Sequence, residues 1–155
     1  MFKTILIPLD GSALAEAALP AAVAIATSAN PASELVLVRV VPDLWIDDIL
    51  LPGQLETYQA HIKQDCQDYL DACAEPLRKD GMCVTVLVAS GEPATQILEV
   101  AAIARADLIA MATHGRSGLQ RIMIGSVADK VIHRANVPML LVRPPDSLSE
   151  INQNS

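Results

Sequence analysis

Ala112-Thr113-His114-Gly115-Arg116-Ser117-Gly118-Leu119-Gln120-Arg121-Ile122-Met123-Ile124-Gly125-Ser126-Val127-Ala128-Asp129 is the stretch on which the reading of this chain turns. A short apolar run, Leu108-Ile109-Ala110-Met111, leads into it and reads as a buried strand. Val127-Ala128-Asp129-Lys130-Val131-Ile132 leads out of it and reads as a helix. Between strand and helix lie glycines, two arginines, a histidine and several hydroxyls, with no acidic residue before Asp129. A glycine-bearing loop of this kind can turn backbone N–H groups toward an anion, and the dipole of the following helix favours the same charge. The segment therefore reads either as a phosphate cradle or as a plain strand-to-helix connection. The rest of the chain decides between them.

Working outward, the same alternation repeats along the whole sequence. Thr4 to Leu9 is a continuous apolar run, the mark of a strand buried on both faces. Asp10-Gly11-Ser12 breaks it, and Ser12 is a fair N-cap for a helix carrying Leu14, Ala18, Ala21, Ala22 and Ile25. Pro20 falls inside that pattern and predicts a kink or a shifted helix start. Leu35 to Val41 is a second buried strand, followed by a loop with Trp45, Asp47, Asp48 and the Pro52-Gly53 break. Gln54 to Lys79 predicts a long amphipathic helix ending near Gly81, and Cys83 to Ala89 a third strand. Gly91-Glu92-Pro93 opens another helix with Pro93 in its first turn, and Ile97, Val100, Ala101 and Ala104 line its apolar face. Asp107 to Met111 predicts the fourth strand. Ser126, spaced from Asp129 as in a capping box, predicts the cap of the last helix, and Val137 to Val142 the fifth strand.

Strand and helix in alternation, five strands in all, imply an α/β fold. It is a single doubly wound five-stranded parallel sheet with helices on both faces. Ligands of such sheets bind outside the carboxyl ends of the strands, where the winding reverses. With strand order 3-2-1-4-5 the reversal lies between strands 1 and 4. The first ends at Leu9-Asp10-Gly11-Ser12 and the fourth at Ala112-Thr113-His114-Gly115. Two polar, glycine-bearing strand ends would then flank one crevice, which favours the phosphate cradle.

Composition bounds the class. The chain has 155 residues, the size of one domain, and 52% hydrophobic residues mark it as globular. A net charge of −7 speaks against general binding to nucleic-acid backbone. No apolar run approaches the roughly 20 residues of a membrane helix, so no membrane insertion is expected. Cys66, Cys73 and Cys83 show no metal spacing, and on a helix the first two stand about 10 Å apart, too far for a disulfide. Free thiols fit a reducing compartment, and Met1-Phe2-Lys3-Thr4-Ile5-Leu6-Ile7-Pro8 is too short and strand-like for a signal peptide, so the expected location is cytoplasmic. The tail 144–155 is polar and begins Pro144-Pro145; it is expected to be flexible and outside the domain.

Ile7-Pro8-Leu9-Asp10-Gly11-Ser12 early, and Thr113-His114-Gly115-Arg116-Ser117-Gly118 with Gly125-Ser126 late, resemble the universal stress protein family over residues 1–143. The nucleotide-binding branch of that family has a Gly-x2-Gly-x9-Gly-Ser/Thr pattern, and Gly115, Arg116 to Ile124, and Gly125-Ser126 match its later part. Ala112 stands where the first glycine would be, with an added methyl group that restricts the backbone. The resemblance implies a Rossmann-like sheet of the adenine nucleotide alpha hydrolase type. It also implies a stress-response regulator that binds ATP, or ADP or AMP, with Mg or Mn. Pro8, Leu9, Asp10 and Val40 would then surround adenine and ribose. Ala112, Thr113, His114, Gly115, Arg116, Ser117, Gly118, Gly125, Ser126 and Val127 would hold the phosphates. It further implies a homodimer formed through the fifth strand, Val137 to Arg143.

Each of these residues has a second reading. Asp10 either meets ribose or a phosphate-bound Mg²⁺, or bonds within its own turn. Arg116 and Arg121 either screen phosphate or lie solvated at the surface. His114 is the one side chain of the loop suited to acid–base work, but no nucleophile accompanies it, so no catalytic residue is assigned and any ATP hydrolysis should be slow. Ala112 keeps open a nucleotide-free dimeric interaction module of the same fold. An ATPase or phosphotransferase would need an evident base and clustered metal carboxylates. A flavodoxin-like carrier would need more aromatic residues than one Trp, two Tyr and one Phe.

Overall fold

The computed structural model describes residues 2–29, 33–43, 52–113 and 124–144. Ten elements follow in order: β1 (Thr4–Pro8), α1 (Ala13–Glu16), α2 (Ala18–Ala29), β2 (Glu34–Val41), α3 (Pro52–Lys79), β3 (Cys83–Ser90), α4 (Pro93–Ile103), β4 (Leu108–Ala112), α5 (Ser126–Arg134) and β5 (Met139–Val142). All pairings are parallel and the sheet order is β3-β2-β1-β4-β5, as the alternation implied.

The middle of each central strand is apolar because helices cover both faces of the sheet. Ile5 and Ile7 of β1 pack with Leu35 and Leu37 of β2 against Ala18, Ala22 and Ala26 of α2 and Leu70 and Ala74 of α3. Leu6 faces the opposite way and joins Val36, Val38, Ile97, Val100, Ile109, Met111, Ala128 and Val131 under α4 and α5. The period-two alternation of strand side chains thus builds two cores from one run of residues. The connections β1 to β2 to β3 use the first face and β3 to β4 to β5 the second. The winding consequently reverses between β1 and β4, where the sequence placed it.

Local chemistry sets most boundaries. Ser12 caps α1 and accepts from the Ala15 N–H at 3.1 Å. The helix expected over Ser12–Ile25 is broken at Ala17 into α1 and α2. Pro20 has no N–H to offer the Glu16 carbonyl four residues back, and the break leaves it in the first turn of α2, where no partner is needed. Gly81 follows α3 with φ +85°, and Met82 N–H bonds the Leu77 carbonyl at 3.0 Å, the predicted left-handed stop. Pro76 lies within α3, although its ring removes the hydrogen bond to the Ala72 carbonyl.

Several boundaries depart from expectation, and α3 starts at Pro52, so the expected Pro52-Gly53 break falls in its first turn, where proline is tolerated. Asp107 stands just before β4, and its carboxylate accepts from the Lys3 and Thr4 N–H groups at 2.9 and 3.2 Å, so the side chain clamps the start of β1. β5 starts at Met139 and not at Val137, because Pro138 has no N–H to pair and offers only its carbonyl, to Ile109 N–H at 3.0 Å. Ser126 is the first residue of α5, and its cap is Gly125, whose extended φ −61°, ψ 154° starts the helix one position earlier. The expected side-chain cap from Ser126 is therefore absent. Asp129 does not complete a box either; it sits 3.6 Å from the His133 Nδ1. Cys66, Cys73 and Cys83 are free.

Candidate functional site

One cavity of about 490 Å³ opens at the carboxyl ends of the strands, beside the reversal. A volume of that size falls in the ordinary range for small-molecule sites. Each wall follows from an element that ends there. β1 contributes Pro8, then Leu9 and Asp10; β2 contributes Val40; β4 ends at Ala112; and Gly125, Ser126 and Val127 bring the start of α5. Eight of the residues expected from sequence thus surround one space, although they come from four separate segments.

Thr113 is not among them. It is buried, its N–H donates to the Val142 carbonyl at 2.9 Å and its hydroxyl reaches the same oxygen at 3.5 Å, so it ties the end of β4 to β5. His114, Gly115, Arg116, Ser117 and Gly118 lie outside the described residues, as do Arg121, Trp45, Asp47 and Asp48.

Asp10 is exposed at the rim. Its Oδ1 accepts from the Ser12 N–H at 2.9 Å and the Ser12 hydroxyl at 2.6 Å, the bond within its own turn that the sequence allowed. Among the described residues Oδ2 has no hydrogen-bond partner. Among the described residues no cluster of three histidine, cysteine or carboxylate side chains could hold a metal ion. A single half-engaged carboxylate is too few ligands for a protein-held metal.

The start of α5 is chemically open. Gly125 has no side chain to cap it, and the Ser126, Val127 and Ala128 N–H groups belong to the turn that lacks intrahelical partners. All three residues line the cavity. A second wall is Pro93 and Ile97 of α4. These two walls are held together outside the cavity. Glu92 caps α4, with Oε2 accepting from the Thr95 N–H at 2.8 Å and the Thr95 hydroxyl at 2.7 Å, and with Oε1 accepting from Lys130 Nζ of α5 at 3.2 Å. Arg134 Nη1 and Nη2 donate to the Thr95 Oγ1 at 3.2 and 3.3 Å. The Thr95 bonds chiefly, then Lys130, push the Glu92 carboxyl down to about 2.

Sequence reading missed Arg39 altogether. It lines the cavity from the end of β2, with its guanidinium 5.0 Å from the centre of the Tyr69 ring of α3. The available signal was a lone arginine inside Leu35-Val36-Leu37-Val38-Arg39-Val40-Val41, where every neighbour is apolar. The apolar wall from Leu14, Pro93, Ile97 and Met111 was also missed, because it comes from packing of elements distant in sequence.

The model of the universal stress protein family matches residues 1–143. The chain belongs to the universal stress protein family. Universal stress protein MJ0531 of Methanocaldococcus jannaschii is 33% identical over 145 residues, covering 94% of this chain and 84% of that protein. The solved structure of protein MJ0577 superposes with a TM-score of 0.76 at 27% identity, covering 94% and 99% of the two chains. A universal stress protein family structure from Arabidopsis thaliana, solved with AMP bound, shares the fold with a TM-score of 0.68 at 14% identity over 94% of each chain. Among the described residues no helix is long and apolar enough to cross a membrane.

Proposed function

We propose that this universal stress protein binds an adenine nucleotide, ATP with ADP or AMP as alternatives, and acts as a cytoplasmic stress-response regulator. The observation that carries the reading is the gathering of four strand and helix ends around one cavity at the reversal of the sheet. The apolar part, walled by Val40, Ile97 and Met111, suits a flat base. The uncapped first turn of α5 suits phosphate, because its N–H groups and dipole attract an anion that no side chain already supplies. Asp10 suits ribose through its remaining oxygen, or one oxygen of the shell around a Mg²⁺ or Mn²⁺ carried by the phosphates. The loop from His114 to Gly118 completes the cradle on this reading. Family members include one solved with AMP bound, which agrees with an adenylate ligand.

The reading is of binding, with nucleotide status reported to a partner, and not of rapid turnover. A nucleotide-free interaction module is the competing reading, favoured by one observation: the Ala112 methyl group lies at the cavity wall where the family pattern has glycine.

Calorimetry of the full chain with ATP, ADP and AMP, with and without Mg²⁺, tests this. Saturable binding is expected, weakened at least tenfold by Gly125→Val. Gly125 already has backbone angles that valine adopts readily, so the substitution obstructs the space without straining the chain. Folded protein that binds none of the three at millimolar concentration would leave the interaction module as the function.

A further inference from the structure

Arg39 is the one cationic side chain among the described residues that line the cavity. It sits near the carboxyl end of β2, on the strand face shared with Leu35 and Leu37. Its guanidinium is held from two sides. The Tyr69 ring lies 5.0 Å away, and the Tyr69 hydroxyl is itself fixed to Glu16 Oε1 at 2.9 Å. A Cβ on Gly11 would come within 3.2 Å of Nη2, so the guanidinium also packs directly against the Asp10-Gly11-Ser12 turn. Stacking uses the face of the guanidinium plane and leaves its N–H donors free around the edge. Among the described residues those donors meet no carboxylate and no other acceptor. A cation oriented this firmly, half-buried at a cavity wall and unpaired among the described residues, is prepared for an anion.

The cavity then has two places for negative charge. One is the first turn of α5, which follows β4; the other is Arg39 on β2. β1 lies between those strands, so the two places stand about two strand spacings, ~10 Å, apart at the level of the sheet. A nucleotide whose phosphates all hang from the 5′ oxygen meets only the first. Where the Asp10 turn meets the ribose, a phosphoryl group on a ribose hydroxyl would meet the second. Arginine serves this purpose in other doubly wound sheets, where it accommodates a phosphate beside the ribose.

We propose that Arg39 receives a phosphoryl group esterified to the ribose, so that the cavity prefers adenosine phosphorylated at both ends of the ribose over AMP. The proposal rests on the reading of the cavity as an adenylate site. The planar donor fork matches two phosphate oxygens, and the Tyr69 stack removes much of the ordering cost.

Calorimetry with AMP, adenosine 3′,5′-bisphosphate and adenosine 2′,5′-bisphosphate tests it on the full chain. The wild type is expected to bind one bisphosphate about tenfold or more tighter than AMP, and the two isomers tell which hydroxyl carries the group. In Arg39→Met that ratio falls to within about twofold of unity, and in Arg39→Lys part of it returns, since the charge remains without the fork. Arg39→Gln serves the same purpose if the methionine variant does not fold by circular dichroism. A wild-type protein that binds AMP as tightly as either bisphosphate overturns the inference and leaves the adenylate reading standing. So does an Arg39→Met that weakens all three ligands equally, which would mean that Arg39 only supports the Gly11 turn. Absence of AMP and bisphosphate binding alike defeats both readings together.

Discussion

The Tyr69 hydroxyl donates to Glu16 Oε1 at 2.9 Å and so joins α3 to α1 across 53 positions of sequence. Burial first, and then the bond to Glu16, raise the Tyr69 pKa well above the ordinary phenol value of 10.0. A group whose pKa rises on folding contributes stability below its unfolded value and loses it as pH climbs toward the folded one. Thermal stability should therefore fall as pH rises beyond about 10. Tyr69→Phe should cost about 0.5–1.5 kcal/mol at neutral pH and flatten that alkaline decline, since the phenol is gone while the ring under Arg39 remains. Melting curves of both proteins from pH 7 to 11 check this. Parallel declines in the two would show that Tyr69 does not carry the effect.

Glu92 should give the opposite limb. Its carboxyl falls from 4.5 to about 2 through the Thr95 hydroxyl and N–H, with Lys130 adding to them. A depressed carboxyl contributes stability above its unfolded pKa and loses it as pH falls through the folded one. Glu92→Ala should lower Tm at pH 7 by removing the α4 cap and the tie to α5. The gap between wild type and variant should then shrink as pH falls from 4.5 toward 2. A gap that holds constant across that range would rule out the carboxylate as its source.

Arg105 closes α4 in a left-handed conformation, φ 52°, with Ala106 N–H bonded to the Ala101 carbonyl at 2.8 Å. That geometry costs a residue with a Cβ about 1–2 kcal/mol, and glycine is the residue that relieves it. The side chain is exposed, and among the described residues it makes no hydrogen bond or ion pair that would be lost. Arg105→Gly should therefore stabilise the protein by about 0.5–1 kcal/mol, after allowance for the greater freedom of glycine in the unfolded chain. Urea titration measures it, and a lower midpoint would mean that the arginine side chain supports the turn.

These residues show where sequence was readable and where it was not. Thr4 to Leu9 and Leu35 to Val41 announced themselves because a strand covered on both faces is a near-continuous apolar run, which Arg39 alone interrupts in the second. Ser12, Gly81 and Pro93 were legible because their chemistry acts on the next few backbone groups. From strand order alone the cavity could be placed at the ends of β1 and β4. Arg39 stayed hidden because its partner Tyr69 is 30 residues away, and only packing of α3 on the sheet brings them together. Arg105 and Glu92 were missed for a different reason: each occupies a cap position that other residues usually fill, so propensity pointed elsewhere. Ser126 was displaced by one position because the preceding glycine also caps well enough to start a helix.

The last prediction concerns assembly. β5 is an edge strand, paired on one side with β4 from Ile109↔Met139 to Ala112↔Val142. Leu141 is 40% exposed there, and an apolar edge with unpaired backbone groups is a surface that soluble proteins normally cover. We propose that a second copy covers it, β5 meeting β5 about a two-fold axis, because a self-complementary edge satisfies both copies at once. The rival is cover by the tail 144–155 within a monomer, and truncation separates the two. Removing residues 146–155 should leave the dimer intact, whereas Leu141→Lys should yield monomers or aggregates, by placing a charge at the seam in each copy. Sedimentation velocity at micromolar concentration reads both. A wild-type chain that sediments as a monomer at every concentration tested would show that β5 is covered in some other way.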